Sequence, residues 1–293
     1  MKTARLPSAP ASIEKGKTLA TLLDREAVDC LAHNIALVHA RFDDARFRRT
    51  AMEGLAPLAI LDRGHHLARV LREHLPARYE DAIRILMESL TPVLSRTSEN
   101  GLAPFFYLPH VFFVANYGLD PEGNGGRDPF EVSMRAQYEI TRRFSAEFSI
   151  RPFLIRWQHR TLARLMEWTN DPDPHVRRLC TEGSRSRLPW AMRIPAFIQD
   201  PRPTLPILER LKDDPEEYVR RSVANHVGDI AKDHPKVAFE LCERWAKGAS
   251  EELKWVIRHA VRHPAKKGVK EALRLREIAK ASGRKRIVEA DGE

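Results

Sequence analysis

An all-α chain built from repeated helix pairs is what this sequence predicts, and three observations carry the prediction. From Thr18 onward apolar residues recur at helical spacing, as at Ile35, Val38 and Phe42, and no run alternates as a half-buried strand would. Breaks at Pro76, Pro92, Pro121, Gly125, Gly126, Pro172, Pro174, Pro189, Pro201, Pro215, Pro235 and Pro264 divide the chain into helices of about 10 to 18 residues. Finally, the second half repeats itself. DPDPHVRRL at Asp171 to Leu179 returns as DPEEYVRRS at Asp214 to Ser222, 43 residues later, and a fainter copy, WVIRHAV, begins at Trp255.

Periods of this size, each holding two helices, are the mark of HEAT-like repeats stacked into a solenoid that binds along its concave face. Residues 18–280 read as one such domain, with N-terminal helices at 18–118, a loop at 119–128 and the repeats that carry the site at 129–280. A flexible N-terminus at 1–17 and a basic flexible tail at 281–293 flank it.

Taken in order, Leu19 to Leu90 reads as four helices of scaffold, with His65 and His66 at one turn. Residues 105–117, FFYLPHVFFVANY, are the densest aromatic cluster, and aromatics at helical spacing face a core. The loop PEGNGGRDP that follows cannot pack and leaves Asn124 and Arg127 able to reach a groove. A helix from Pro129 to Phe144 leads into FSAEFSIRPF, where Glu147 sits in an otherwise apolar run just before Arg151. TEGSRSRLPW then gathers Glu182, Arg185, Arg187 and Trp190 at a helix end.

The repeats also predict a shared face, since positions four apart lie on one side of a helix. It runs through Arg178 and Glu182, then Arg221, Asn225 and Asp229, then Arg258 and Arg262. A repeat that only packs places apolar residues there more often, although solvated faces carry the same pattern.

The composition agrees with a polyanion-binding globule. Hydrophobic content of 43% supplies a core, and 49 Lys and Arg against 40 Asp and Glu give a net charge of +9. Cys30, Cys180 and Cys242 are odd in number and far apart, which suggests neither disulfides nor a zinc knuckle, and points to the reducing cytoplasm. No apolar leader and no stretch of about 18 apolar residues is present, so no membrane partner is expected. His259 and His263 lie one turn apart but lack a third ligand, so neither a metal nor a cofactor is expected.

FSAEFSIRPFL, DPDPHVRRLCTEGSRSRLPW and DPEEYVRRSVANHVGDIAKDHP resemble signature segments of the AlkC branch of the AlkC/AlkD alkylpurine DNA glycosylases. They fall in order between Phe144 and Pro235, about a third of the chain. The resemblance implies a HEAT-like solenoid that holds alkylated double-stranded DNA in a concave basic groove, as a monomer acting in base excision repair. It implies excision of cationic bases, 3-methyladenine and, in the AlkC branch, 3-methylcytosine. Glu147 and Glu182 resemble the family's active-site carboxylates, Asp229 a further acid of the pocket, and Trp190 the aromatic near the lesion, with Asn225 beside it. Arg151, Arg178, Arg185, Arg187, Arg221 and Arg258 would hold DNA. The family commonly shows Pro at Ser186 and Asn at Gly228; neither departure removes a carboxylate. The immunoglobulin-like domain that some AlkC relatives carry is not expected here, where a basic helix and tail follow Lys266.

The chemistry such a site needs follows from the substrate. A base alkylated at N3 or N7 is cationic and leaves without a general acid, so the burden falls on the sugar. A carboxylate stabilises its oxocarbenium character, and a carboxylate can also hold the attacking water. The sequence leaves open which acid does which. Lys212 and Lys232 fall outside the repeated face, which predicts a monofunctional glycosylase with no lyase step. A HEAT-like module that binds DNA or a protein without chemistry is the alternative.

Overall fold

Short polar side chains start several helices by accepting the N–H groups that a first turn leaves open. Asp24 accepts from Glu26 at 2.9 Å, Asp43 from Arg46 at 2.9 Å and Ser250 from Leu253 at 3.1 Å. A computed structural model describes residues 3–93 and 101–280, and among them there are helices and turns but no strand. The architecture is an all-α helical repeat, as the periodicity predicts. The chain divides into two compact units, Met1–Leu179 and Cys180–Glu293, where the sequence reading has one domain over 18–280.

The first unit holds α1 (Arg25–Val38), α2 (Asp44–Met52), α3 (Ile60–His74), α4 (Tyr79–Glu88), α5 (Leu108–Tyr117), α6 (Phe130–Thr141), α7 (Ile150–Arg156) and α8 (Gln158–Trp168). The first four are the helices expected between Leu19 and Leu90. The aromatic cluster is core: Phe106, Tyr107, Phe112 and Phe113 are buried, and α5 packs along α3. Gly64 permits that approach, because a Cβ there would lie 2.7 Å from the Phe112 ring. His65 stacks on the same ring with centroids 3.7 Å apart, and His66 Nε2 lies 3.0 Å from the Ala51 carbonyl oxygen, so both histidines serve the scaffold.

Two local expectations change. Asn124 does not reach into a groove; it is buried, accepts from the Glu80 N–H at 2.9 Å and donates to the Arg127 carbonyl at 3.2 Å. A buried amide must spend its hydrogen bonds on the backbone around it. Residues 3–17, read as flexible from composition, lie along the first unit. Asn34 pairs with both backbone groups of Arg5, Ser8 donates to Glu26, and the Pro10 carbonyl accepts from Leu102. The tail at 281–293 lies outside the described residues.

Helix α9 (Pro174–Gly183) runs across the sequence boundary of the units. The second unit continues with α10 (Pro195–Gln199), α11 (Leu205–Leu211), α12 (Glu217–Asp233), α13 (Pro235–Ala246), α14 (Glu251–Ala260), α15 (Arg262–Lys266) and α16 (Lys270–Ile278). α12 is its centre and packs on both α13 and α14. Gly228, where the family commonly has Asn, lies against the end of α14, and an added Cβ would stand 3.3 Å from the Ala260 carbonyl oxygen.

Candidate active site

The first unit holds one of the acids that the sequence singles out. Glu147 lies in the turn after α6, which ends at Thr141 rather than at the expected Phe144. Its Oε2 accepts from Ser145 Oγ at 2.8 Å and from Arg178 Nη1 at 2.9 Å, and both ion-pair partners are mostly buried. Arg178 also reaches Ser145 Oγ at 3.2 Å. Arg151, expected to hold DNA, has 0% exposure on α7, so it is not a surface cation awaiting a phosphate. A guanidinium is buried only where carbonyls or carboxylates satisfy it.

The second unit holds a denser cluster. Arg185 Nη1 donates to Glu182 Oε1 at 2.6 Å, and Arg185 Nε donates to Asp229 Oδ2 at 2.7 Å. Ser222 Oγ donates to Glu182 Oε2 at 2.6 Å while accepting from Thr181 Oγ1 at 2.6 Å. Lys232 Nζ donates to Asp229 Oδ1 at 2.7 Å. Glu182 and Asp229 are 6% and 2% exposed, so two carboxylates are kept out of water and share one guanidinium. Burial by itself would lower the pKa of Arg185, yet the two acids more than offset it and hold it above its ordinary value. His226, buried beside them with Nδ1 3.0 Å from the Thr181 carbonyl, is held neutral by burial, its pKa pushed down to about 4.

Arg185 therefore corrects its sequence assignment: it clamps the acids and does not face a phosphate. Asn225, expected beside the lesion, has its amide oxygen occupied by Arg262 at 3.0 Å and lies 3.2 Å from His259 Nε2. The predicted strip does not hold together. A spacing of eight residues drifts about 80° around a helix, so Arg221 lies in solvent, paired with Glu217 one turn away, while Asp229 is buried. Ser222, seven residues before Asp229, keeps its face. In the third copy α14 ends at Ala260, so Arg262 begins another helix, and Arg258 donates to the Ala279 carbonyl. Arg187 grips both oxygens of Asp233, at 2.7 and 2.8 Å.

Trp190 stands out on two counts. It is 64% exposed, and its φ of 64° places it in the left-handed region, the one residue other than glycine to do so among those described. Buried Leu188 and Ile194 anchor its loop, which the Ile194 N–H closes onto the Ser186 carbonyl at 3.2 Å. A large aromatic held in solvent by a rooted loop takes no part in the core and leaves most of its ring accessible. It lines an open hollow of about 570 Å³ together with Arg187, Arg193, Lys232 and Asp233. Sequence reasoning missed Ser222 and Arg193, and it set Lys232 outside the repeated face; Lys232 instead bonds Asp229 at 2.7 Å, because a spacing of three brings side chains together on a helix.

No family model matches the chain. It is 36% identical over 262 residues to the uncharacterized protein YhaZ of Bacillus subtilis (strain 168), a match that spans 88% of this chain and 67% of that protein. Among solved structures, Pseudomonas fluorescens alkylpurine DNA glycosylase AlkC, bound to DNA containing an abasic site analog, matches with a TM-score of 0.77 at 36% identity. That match covers 88% of this chain and 67% of the other. Identity at this level across most of the chain, together with a shared all-α fold, places the protein in the AlkC family of alkylpurine DNA glycosylases.

Proposed function

We propose that this protein is a monofunctional DNA glycosylase that hydrolyses the N-glycosidic bond of cationic alkylated bases, 3-methyladenine and 3-methylcytosine, in duplex DNA. The observation that carries the reading is the Glu182–Arg185–Asp229 cluster, in a chain similar over most of its length to a DNA-bound AlkC. Carboxylates fixed in a low-dielectric site stabilise a developing positive charge far more than they would in water. Because the alkylated base departs as a neutral molecule, no proton donor is required, and the deoxyribose becomes the centre of charge. Among Glu147, Glu182 and Asp229, one acid faces that charge and one holds and deprotonates the water that attacks C1′. Trp190 lies against the cationic base, a contact of about 0.5 to 2 kcal/mol. Arg178, Arg187, Arg193, Arg221 and Arg258 supply positive charge for the backbone, in exchange for their present partners. The protein acts as a monomer, in the cytoplasm, in base excision repair.

The test is release of methylated bases from alkylated duplex DNA, with Glu147→Gln, Glu182→Gln and Asp229→Asn run beside the parent protein. Loss of release by about 100-fold or more in a variant that still binds abasic-site DNA identifies its acid as catalytic. If the parent protein binds DNA and releases no base, it is a binding module and the enzyme reading fails.

A further inference from the structure

Asp229 has two oxygens, and each is taken by a different kind of cation. Oδ2 is held by Arg185, whose side chain is 10% exposed and which is also tied to Glu182. Oδ1 is held by Lys232 at 2.7 Å, and the Lys232 side chain is 53% exposed. The first partner is locked, because breaking a buried pair leaves an uncompensated charge. The second is not, because an ammonium in water on a flexible stem leaves its partner at little cost. Lys232 also lines the hollow that Trp190 lines, so one side chain touches both Asp229 and that open space.

The charges give this arrangement a consequence. In these ion pairs the charges of Glu182 and Asp229 are matched by those of Arg185 and Lys232, and Arg262 is close enough to Asp229 to feel its charge. Displacing Lys232 removes one positive charge from beside Asp229 and so makes the site more favourable to an alkylated base or an oxocarbenium-like sugar. We propose that Lys232 is the displaceable counter-cation of Asp229 and sets how strongly the site prefers cationic over neutral ligands, an inference that rests on the glycosylase reading above. Lys232 is thus a positioning residue: it acts through Asp229 and does not perform chemistry on the substrate.

The experiment measures binding of the full chain to two duplexes. One carries a pyrrolidine abasic nucleotide, protonated on its ring nitrogen, and the other its neutral tetrahydrofuran counterpart. The quantity read is the ratio of the two affinities, in which any general loss of phosphate contact cancels. Lys232→Gln raises the preference for the cationic duplex about three- to fivefold, Lys232→Arg leaves it at the parent value, and Lys232→Gln on an Asp229→Asn background produces no rise. A ratio unchanged in Lys232→Gln, or a rise of the same size without the Asp229 carboxylate, overturns the proposal. Failure of the glycosylase reading shows separately, as absence of base release, and leaves the ratio measurable.

Discussion

The guanidinium of Arg185 donates to an acid three residues away and to another 44 residues away, so a single side chain ties α9 to α12. Both contacts are under 3 Å and shielded from water, where an unpaired carboxylate is costly. Arg185→Ala therefore lowers unfolding free energy by about 3 to 5 kcal/mol, read from urea denaturation. Arg185→Lys loses less, since it keeps the charge but cannot span two acids with one planar fork. If the alanine variant is as stable as the parent, the carboxylates do not depend on this clamp. The resemblance assigns Arg185 to DNA, and in sequence an arginine beside a glutamate at a helix end looks the same in either role; only the second partner on α12 separates them.

At the scale of elements, close approach of helices decides what small residues do. Gly64 sits where a Cβ would meet Phe112 Cδ2 at 2.7 Å and Leu108 Cβ at 3.1 Å, and the Phe112 ring is itself held between His65 and Phe148. Alanine would raise helix propensity by about 1 kcal/mol, but the crowding opposes it by about 1 to 3 kcal/mol. Gly64→Ala is accordingly expected to lower the thermal midpoint, and a rise would show that α3 and α5 can part without cost. Nothing in the spacing of Gly64 announces this, since its neighbour is 48 residues away in sequence. The same limit applies to the predicted strip: a spacing of four defines a face over one turn but not over two, and α14 stops before its second position.

Over the whole molecule, buried neutral histidines are among the groups that make the fold sensitive to acid. His110 is pushed down to about 3 by burial and by Arg143, and His226 to about 4 chiefly by burial. Each is protonated near pH 6.5 once unfolded. Their contribution is therefore fully present above about pH 7 and is lost as pH falls from there toward their folded values, because the unfolded chain binds the extra protons. Denaturation midpoints measured across this window should drop, with a slope of about 1 kcal/mol per pH unit for each histidine; a flat profile would mean that these rings titrate normally in the fold. The all-α repeat, the four N-terminal helices, the aromatic core of α5 and the family are legible without coordinates, because helical periodicity and short motifs are local properties. The tertiary structure decided the partners: that Arg151 and Asn124 are interior, that Arg185 serves two acids, that Ser222 and Lys232 complete them, and that Trp190 is held out in solvent. Those outcomes depend on which helix turns face one another, and a side chain's charge or polarity specifies the need for a partner without specifying which residue will meet it.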